Sequence, residues 1–422
     1  MRYHEAPHSR GFCYRDLVGL NMRPKLRQIQ PQWAQQDGRP VLVLRDPLAL
    51  SGKVLAVPQL LAPLLALCDG TRDESALRAA LEIRAGVRLS PDVLANILRQ
   101  LDDALLLENE RSAEALRAAL EAYHAAPFRA PSSAGSGYPA DATTLRQMLQ
   151  DYLAGAGDVP KFPNARGIVS PHIDYMRGGA VYGKVWSAAA DAVRSAEVAV
   201  IFGTDHMGDL SPFTLTRQSY ATPFGVLPTA TEVVDAVAAA IGDEWAFRDE
   251  IHHRNEHSVE LAAIWVHYVR DGKPSPIVPI LSGSFERFVS GQECAERDEV
   301  IAAGIEALRR ALEGRRAIVI AAADLAHTGP AFGDAVPAGL VQRALGKKAD
   351  EALMTRMCEG DAEGFLSLIR EERDRRHICG LPPIYLALRL LGPVAGHVVA
   401  YNHAPADSEG ISFVSFCGVV WG

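Results

Sequence analysis

The stretch RGIVSPHID, residues 166–174, contains an apolar, β-prone run that ends close to a histidine, His172. The same pattern recurs in EVAVIFGTDH, which ends at His206, and in AIVIAAA, which leads directly into Asp324 and then His327. In an open α/β sheet, ligands bind in the crevice beyond the carboxyl ends of the strands. Three strand ends that carry His, His and an Asp/His pair therefore predict a ligand site, and a metal site in particular.

Around these strands, apolar residues alternate between helical and strand periodicity. Helices are predicted at about 179–194 and 297–313, with strands between them. This alternation predicts an α/β fold with a mostly parallel sheet and helices on both faces. Two closing strands, at 396–401 and 411–419, have no helix between them. They are expected to pair antiparallel at one edge of the sheet.

One segment, residues 125–141, is rich in Pro, Ser and Gly and lacks periodicity, so it is expected to be a flexible linker. It places a domain boundary near residue 130, with domains at 1–130 and 131–422. The first of these has a predicted strand at 39–45, three short helical stripes, and a short strand at 104–107. This plan predicts a small winged-helix-like α+β domain.

Composition excludes several functional classes. The chain has 422 residues, 48% hydrophobic and 22% charged residues, and a net charge of −8. Residues 1–130 carry 17 basic and 15 acidic side chains, so they lack the strongly basic character that nucleic-acid binding needs. The sequence has no GxxxxGK[ST], no GxSxG, and no GxGxxG after a strand. These absences argue against phosphate-loop, α/β-hydrolase and dinucleotide-binding functions.

Cysteine usage and apolar segments bear on the compartment. Six cysteines are scattered without a CxxC pair, which is typical of reduced thiols in a cytoplasmic protein. The N-terminus lacks the apolar region of a signal peptide. The longest apolar stretch, residues 54–68, contains two prolines and is shorter than the roughly 20 residues of a membrane span. We therefore expect a cytoplasmic protein with no membrane partner.

The strand-end residues each have a plainer explanation beside the functional one. His172 and His206 fit neutral imidazole ligands, but they could also be polar residues that line an ordinary pocket. Asp324 and His327 fit an acid–base pair, in which Asp324 orients the imidazole or accepts a proton. The alternative is a helix-capping aspartate followed by a surface histidine.

The motif EHSVE at residues 256–260 opens a predicted helix. Capping and the first-turn preference for acidic residues account for Glu260. They leave Glu256 and His257 unexplained, so these two are further candidate catalytic residues. The histidines just upstream, His252 and His253, are expected to lie in a solvated loop.

Cys379 lies in the stretch HICGLPP, just before a predicted helix. A thiol at a helix N-terminus has a lowered pKa and is a better metal ligand or nucleophile. A lone cysteine can equally be an inert, small apolar residue. Sequence spacing does not establish whether Cys379 reaches the histidines.

From residue 134 to its end, the chain resembles the Memo family, also called AmmeMemoRadiSam system protein B. The matching pieces run in order: AGSGYPADATTLRQML, IVSPHIDYMRGGAVYGK, VIFGTDHMG, YATPFGVLP, EHSVELAAI, IVPILSG, IAAADLAHTG and HICGLPPI. The resemblance implies a fold like that of class III extradiol dioxygenases, which use non-haem iron. It also implies one iron or copper ion held by His172, His206 and Cys379. Asp324 and His327 match further pocket positions.

The chain departs from the family pattern at several places. Met207 stands where the family often has a second histidine, Asp174 replaces a glycine, and Ala326 and Thr328 replace Cys and Trp. These differences affect pocket shape and substrate more than the three ligand positions. The N-terminal region is similar, over CDGTRDE at residues 68–74 and the later LLLEN, to a PqqD-type winged helix, which implies binding of a peptide or protein partner along a strand edge. The alternative is a plain helical interaction domain.

Two hypotheses of different class follow. The first is a metal-dependent oxidoreductase, dioxygenase-like in fold, that takes a small-molecule or peptide ligand in the metal crevice. The alternative is a non-catalytic module that binds a peptide or protein in the same crevice. A nucleic-acid-binding winged helix is disfavoured by the near-neutral charge of residues 1–130.

Overall fold

The computed structural model describes residues 23–29 and 31–422. The chain divides into two compact units, unit 1 at Met1–Glu121 and unit 2 at Ala122–Gly422. Cys13 and the N-terminal residues assessed for a signal peptide lie outside the described part of the chain. The other five cysteines are free thiols. Among the described residues, no helix combines the length and the apolar character that crossing a membrane requires.

Unit 1 combines a three-stranded antiparallel sheet, in the order β1-β2-β3, with short helices. Its elements are β1 (Gln32–Gln36), β2 (Arg39–Arg45), β3 (Val54–Pro58), α1 (Ala62–Leu67), α2 (Glu74–Ala85) and α3 (Pro91–Asp103); α4 (Glu110–Ala125) begins here and ends in unit 2. Ser90 caps α3 by accepting a hydrogen bond from the Val93 amide, with proline at the first helical position. The predicted strand at 104–107 forms a single bridge, Leu26 to Leu107.

Unit 2 alternates strands and helices. Its helices are α5 (Ala142–Gly155), α6 (Tyr175–Ser195), α7 (Thr231–Ile241), α8 (Asp243–Phe247), α9 (Ser258–Val269), α10 (Glu286–Val289), α11 (Glu299–Ala311), α12 (Leu340–Glu359), α13 (Ala362–Glu371) and α14 (Leu381–Leu391). Its strands are β4 (Gly167–Ser170), β5 (Val198–Thr204), β6 (Thr214–Leu215), β7 (Tyr220–Thr222), β8 (Gly225–Leu227), β9 (Ile277–Ser282), β10 (Ala317–Ala322), β11 (His327–Thr328), β12 (Gly396–Pro405) and β13 (Phe413–Trp421).

The main sheet has eight strands, with β11-β13-β4-β10-β5-β9-β6 in order and β12 also paired to β13. The four central strands, β4, β10, β5 and β9, run parallel. The flanking pairings are antiparallel, including the β12–β13 pair expected from the sequence. The central sheet is thus parallel, as predicted, and the antiparallel strands are confined to its two sides.

Helices cover both faces of this sheet. Successive side chains of a strand point to opposite faces, so each face has its own row of apolar side chains to bury. On β5, Val198, Val200 and Phe202 pack into a core that includes residues of α7, α11 and α14. Ala199 and Ile201, between them, pack into a second core with residues of α5, α6 and α9. Both faces are apolar, which explains the continuous hydrophobic run of the sequence.

This topology sets the position of the candidate site. The neighbouring strands β4, β10 and β5 are parallel, so their carboxyl ends lie at one edge of the sheet. The residues that follow these ends include His172, Asp324 and His206. Helix α14 packs against the same strands. Its N-terminus places Cys379 at the same edge.

The segment 125–141, expected to be a flexible linker, is anchored within unit 2. The Arg129 side chain is fully buried and pairs with the buried Glu260 carboxylate of α9. Tyr138 is also buried and donates a 2.5 Å hydrogen bond from its hydroxyl to Glu260. The proline and glycine content of this segment indicates a lack of regular secondary structure. It does not indicate flexibility, because polar contacts with α9 hold the segment in place.

Candidate metal centre

Three side chains from separate parts of the chain converge at the edge of the sheet. The potential donor atoms of His172, His206 and Cys379 all lie within 4.8 Å of one another. The Cys379 Sγ is 3.3 Å from the His172 Nε2. The two imidazole rings meet edge to face, with centroids 5.1 Å apart. Two imidazoles and one thiol therefore surround a single point.

His172 is fixed in one orientation by the strand beside it. Its Nδ1 is 2.9 Å from the Ala322 carbonyl oxygen, so the Nδ1–H donates and the Nε2 lone pair faces Cys379. Burial, together with the nearby His206 and His257, lowers the pKa of His172 well below its usual range. The imidazole is therefore neutral, which is the form that binds a metal ion.

His206 is held by a carboxylate instead of a carbonyl. Its Nδ1 lies 3.0 Å from the Glu256 Oε2, and its ring also hydrogen-bonds to Cys379. Burial opposes protonation of this ring, but the Glu256 charge and the hydrogen bond to Cys379 outweigh it. The pKa of His206 is consequently raised well above its usual range. A metal ion at Nε2 would displace that proton.

Cys379 lies just before α14, and its carbonyl oxygen accepts a 2.9 Å hydrogen bond from the Thr204 hydroxyl. The helix-terminus argument from the sequence predicts a lowered thiol pKa, and this is wrong. Burial raises the pKa of Cys379, and the opposing hydrogen bond from His206 does not overcome it. A bound cation reverses this balance, since a coordinating thiol is deprotonated.

Asp324 lies directly behind His172. Its Oδ1 accepts a 3.0 Å hydrogen bond from the His172 amide, and its Oδ2 is 3.8 Å from the His172 Nε2. Burial raises the pKa of this carboxyl to about 6. The structure shows that the carboxylate contacts the candidate ligand, so the helix-capping alternative does not describe it.

His327 is the first residue of β11 and lines the same crevice. Its Nδ1 lies 3.2 Å from the Leu325 carbonyl oxygen and 3.1 Å from that of His377. These acceptors orient the ring, and burial lowers its pKa to about 4. At neutral pH the ring is an uncharged base.

Glu256 holds two imidazoles with one carboxylate. Its Oε2 contacts His206, and its Oε1 is 3.1 Å from the His257 Nδ1. The His206 and His257 rings stack with centroids 5.0 Å apart and an interplanar angle of 12°. His206, Glu256 and His257 themselves form a second group with metal-donor spacing. The structure thus brings all seven residues selected from the sequence to one place.

The site opens into a cavity of about 450 Å³, which we call the crevice. It is lined by His172, His206, His257, Asp324 and His327, and also by Ser133, Ser136, Gly137, Ile173, Asp174, Arg177, Leu261, Phe332, Ala406 and Val414. Sequence reasoning missed the serines, because they belong to the segment taken for a linker. No local signal identifies Phe332 or Arg177.

Two expectations around the EHSVE motif were wrong. Glu260 is fully buried and pairs with Arg129, so it serves more than the first turn of α9. His253 is fully buried, with Nε2 2.9 Å from the Thr214 carbonyl oxygen and Nδ1 2.6 Å from the Tyr220 hydroxyl. His252 contacts the Asp205 carboxylate at 2.9 Å. Both histidines are structural parts of the wall behind the site.

The donor set fits a soft or borderline transition-metal ion. Thiolate and imidazole suit iron, copper and zinc, whereas calcium and magnesium prefer oxygen. Each ring has its outer nitrogen bound to an acceptor, as is usual for histidines that bind metals. The crevice borders the donors, so the protein would not fully enclose an ion held by them. An incompletely enclosed site is typical of catalytic metal centres.

Comparison with known proteins covers most of this chain. A family model described as Memo-like protein matches residues 129–420. The chain is 28% identical over 411 residues to a MEMO1 family protein of Aquifex aeolicus, covering 95% of this chain and all of the relative. That similarity therefore extends into unit 1.

Two further relatives are similar over shorter parts of the chain. A MEMO1 family protein of Archaeoglobus fulgidus is 35% identical over 200 residues, covering 47% of this chain and 68% of the relative. One from Methanosarcina mazei is 28% identical over 300 residues, covering 69% of this chain and 98% of the relative.

Proposed function

The chain belongs to the Memo family, and from this premise and the site geometry we propose that it is a redox-metal protein that binds one iron or copper ion. The proposed ligands are His172, His206 and Cys379. The observation that carries the proposal is the convergence of these three donors, each on a different segment, within 4.8 Å. Structural zinc sites are usually closed by four protein ligands. Three protein donors beside an open crevice favour a reactive ion.

Such an ion, when bound, supplies one-electron redox chemistry. The protein residues have separate tasks around it. Glu256 and the Ala322 carbonyl orient the two imidazoles through their outer nitrogens. His327, neutral at pH 7, can accept a proton from a ligand in the crevice. Asp324, with its pKa near 6, can hold or release one close to neutral pH.

The crevice is large enough for a small molecule or an extended peptide end. Its volume of about 450 Å³ is within the range for ligand pockets, roughly 300–1,000 Å³. Leu261, Phe332 and Val414 supply apolar surface, and Ser133 and Ser136 supply hydroxyl groups. We propose an organic ligand with both an apolar and a hydrogen-bonding part, and we expect its turnover to require the metal.

Metal content after anaerobic purification tests this proposal. Elemental analysis of the wild-type protein should give close to one iron or copper per chain. His172→Ala and His206→Ala should lose it, and His397→Ala, a control at an exposed histidine on β12, should retain it. Stoichiometric metal in a double His172→Ala/His206→Ala variant would show that the ion is bound elsewhere. Metal-dependent turnover of an organic ligand would identify an enzyme, whereas binding of the ligand without turnover would identify a binding module.

For unit 1, we propose binding of a peptide or protein segment. All five residues of β1 are exposed, and β1 is an edge of the described three-stranded sheet. An exposed edge strand offers unpaired backbone groups to an extended peptide. Titration of the isolated unit with a library of extended peptides tests this function.

A further inference from the structure

The three proposed ligands are divided between two cavities. His172 lines the crevice, Cys379 lines a second cavity, and His206 lines both. The second cavity, which we call the rear cavity, has a volume of about 250 Å³. The proposed metal position is therefore approached from two directions by two different sets of side chains.

The rear cavity is smaller than the crevice. It is bounded by the end of β5, the end of β9, the start of α10 and the loop before α14. Gly208 and Gly283 allow these loops to approach each other. A Cβ at Gly208 would lie 2.6 Å from the Asp205 carboxylate, and one at Gly283 would lie 2.8 Å from the Ser211 carbonyl oxygen.

Carboxylate side chains give the rear cavity a negative charge. Asp205, Glu286 and Asp374 line it, and no lysine or arginine is among the described residues that do. His252 compensates Asp205 at 2.9 Å, and the Glu256 carboxylate compensates His206 at 3.0 Å, so the excess negative charge resides on Asp374 and Glu286. Glu286 is exposed at the rim, and Asp374 is half-buried. The crevice is lined by Asp174 and Asp324 as well as by Arg177, and the Arg177 guanidinium pairs with Asp174.

A separate observation points to a polar occupant of the rear cavity, either water or a ligand. The Ser282 hydroxyl lines it, is fully buried, and has no hydrogen-bond partner among the described residues. Buried polar groups are almost always satisfied, by protein, water or ligand. A hydrated cation carries water molecules that can donate to or accept from this hydroxyl.

We propose that the rear cavity is the port through which a hydrated transition-metal cation reaches His206 and Cys379, while the crevice is reserved for the organic ligand. The proposal rests on the metal-binding function proposed above. Asp374 and Glu286 attract the cation, because a cleft lined by one sign of charge raises the local concentration of counter-ions. Ser282 and His377 provide polar contacts along the path. The metal can then enter while the crevice is occupied.

The rate of metal uptake tests the port. Metal-free full-length protein is mixed anaerobically with Co²⁺, and thiolate-to-cobalt absorption is followed by stopped flow. Ser284→Trp narrows the rear cavity at an exposed rim position, and Ser136→Trp is the matched change at the exposed rim of the crevice. We expect Ser284→Trp to slow uptake about tenfold or more, and Ser136→Trp to leave it unchanged. The equilibrium affinity should be the same in all three proteins.

A second variant changes the charge of the rear cavity without altering its volume. Asp374→Asn retains the acceptor for the Ile378 amide, which the aspartate contacts at 2.7 Å. Combined with Glu286→Gln, it should slow uptake about tenfold and flatten its dependence on ionic strength, because steering by these charges is screened by salt.

The outcomes separate this inference from the function on which it rests. Slower uptake in Ser136→Trp, with Ser284→Trp unchanged, would overturn the port while leaving the metal site intact. Unchanged salt dependence in the double variant would also contradict it. If wild-type protein binds no Co²⁺ at equilibrium, the proposed metal function itself fails, and the port fails with it.

Discussion

At the scale of single residues, the site depends on the hydrogen bonds that orient its two histidine rings through their outer nitrogens. The Ala322 carbonyl fixes His172, and the Glu256 carboxylate fixes His206. Asp324 contacts both the backbone and the ring of His172. The carboxyl of Asp324 has a pKa of about 6, so its charge changes close to neutral pH.

Asp324→Asn should leave the metal stoichiometry unchanged but alter the pH dependence of affinity. In the metal-free protein the Asp324 carboxyl is protonated below about pH 6, and a bound cation favours its ionised form. The ratio of wild-type to Asp324→Asn affinity should therefore rise with pH and become constant above about 6. Co²⁺ titrations from pH 5 to 8 measure this ratio.

Asp174→Asn is the control, because Asp174 lines the same crevice without contacting a proposed ligand. It should behave as the wild-type protein does across this range. A ratio independent of pH for Asp324→Asn would assign Asp324 a purely structural role.

His253 should make the fold sensitive to acid. Burial lowers its pKa from 6.5 to about 3, so the folded protein keeps this ring neutral while the unfolded chain protonates it. Stability is therefore lost as pH falls below about 6.5, and at pH 5 this residue accounts for about 2 kcal/mol. His253→Gln, which can still bond to Thr214 and Tyr220, should lose about 2 kcal/mol less than wild type between pH 7.5 and pH 5.

Urea unfolding at the two pH values gives this difference. His397→Gln, at an exposed position, should show the full wild-type loss. Equal acid sensitivity in His253→Gln and the wild type would mean that His253 is not the group responsible.

At the scale of elements, the strands of the site are the part most fully predicted from the sequence. The runs at 166–169 and 317–323 correspond to β4 (Gly167–Ser170) and β10 (Ala317–Ala322). They are recognisable because central parallel strands are buried on both faces and so are apolar throughout. Once these strands are recognised, the polar residues just beyond their ends, His172 and Asp324, can be identified as site candidates.

The remainder of the site depends on contacts distant in sequence. Cys379 reaches His172 because α14 packs across β10 and β5, and nothing in the spacing of the two residues encodes this packing. The linker prediction failed for a similar reason. Residues 125–141 are ordered by a buried ion pair whose partner, Glu260, is far along the chain.

Glu260→Gln should destabilise unit 2 and release this segment. The change leaves the Arg129 guanidinium buried without its counter-charge, which typically costs about 3–5 kcal/mol. Because the segment supplies Ser133 and Ser136 to the crevice, the variant should also become sensitive to proteolysis between residues 125 and 141. Chemical unfolding and limited proteolysis measure the two effects.

Adding Arg129→Met to this variant removes the unpaired charge, while Gln at position 260 can still accept from Tyr138. The double variant should therefore be more stable than Glu260→Gln alone. Equal or lower stability would show that the ion pair is not what anchors the segment.

At the scale of the whole molecule, each unit has its own hydrophobic core. Unit 1 buries a cluster that includes Leu44, Leu77, Leu81, Leu94 and Leu98. A fragment ending at residue 125, the last residue of α4, should fold cooperatively by itself, because a domain with its own core is stable alone. Thermal unfolding followed by circular dichroism tests this, and a broad transition without a baseline would contradict it.

The same fragment should bind no random-sequence DNA near physiological salt. Residues 1–125 carry 16 basic and 15 acidic side chains, which leaves little positive charge to neutralise phosphates. Fluorescence titration provides the measurement. Micromolar affinity that is lost as salt rises would favour a nucleic-acid function over peptide binding.

The central claim is that His172, His206 and Cys379 hold one ion. X-ray absorption spectroscopy of the anaerobically purified, metal-loaded protein tests it most directly. We expect one sulfur scatterer at ~2.3 Å and two imidazole nitrogens at ~2.0–2.1 Å, distances typical of thiolate and imidazole ligands, and we expect the sulfur contribution to disappear in Cys379→Ser. A wild-type spectrum with only oxygen and nitrogen neighbours, identical to that of Cys379→Ser, would contradict the claim.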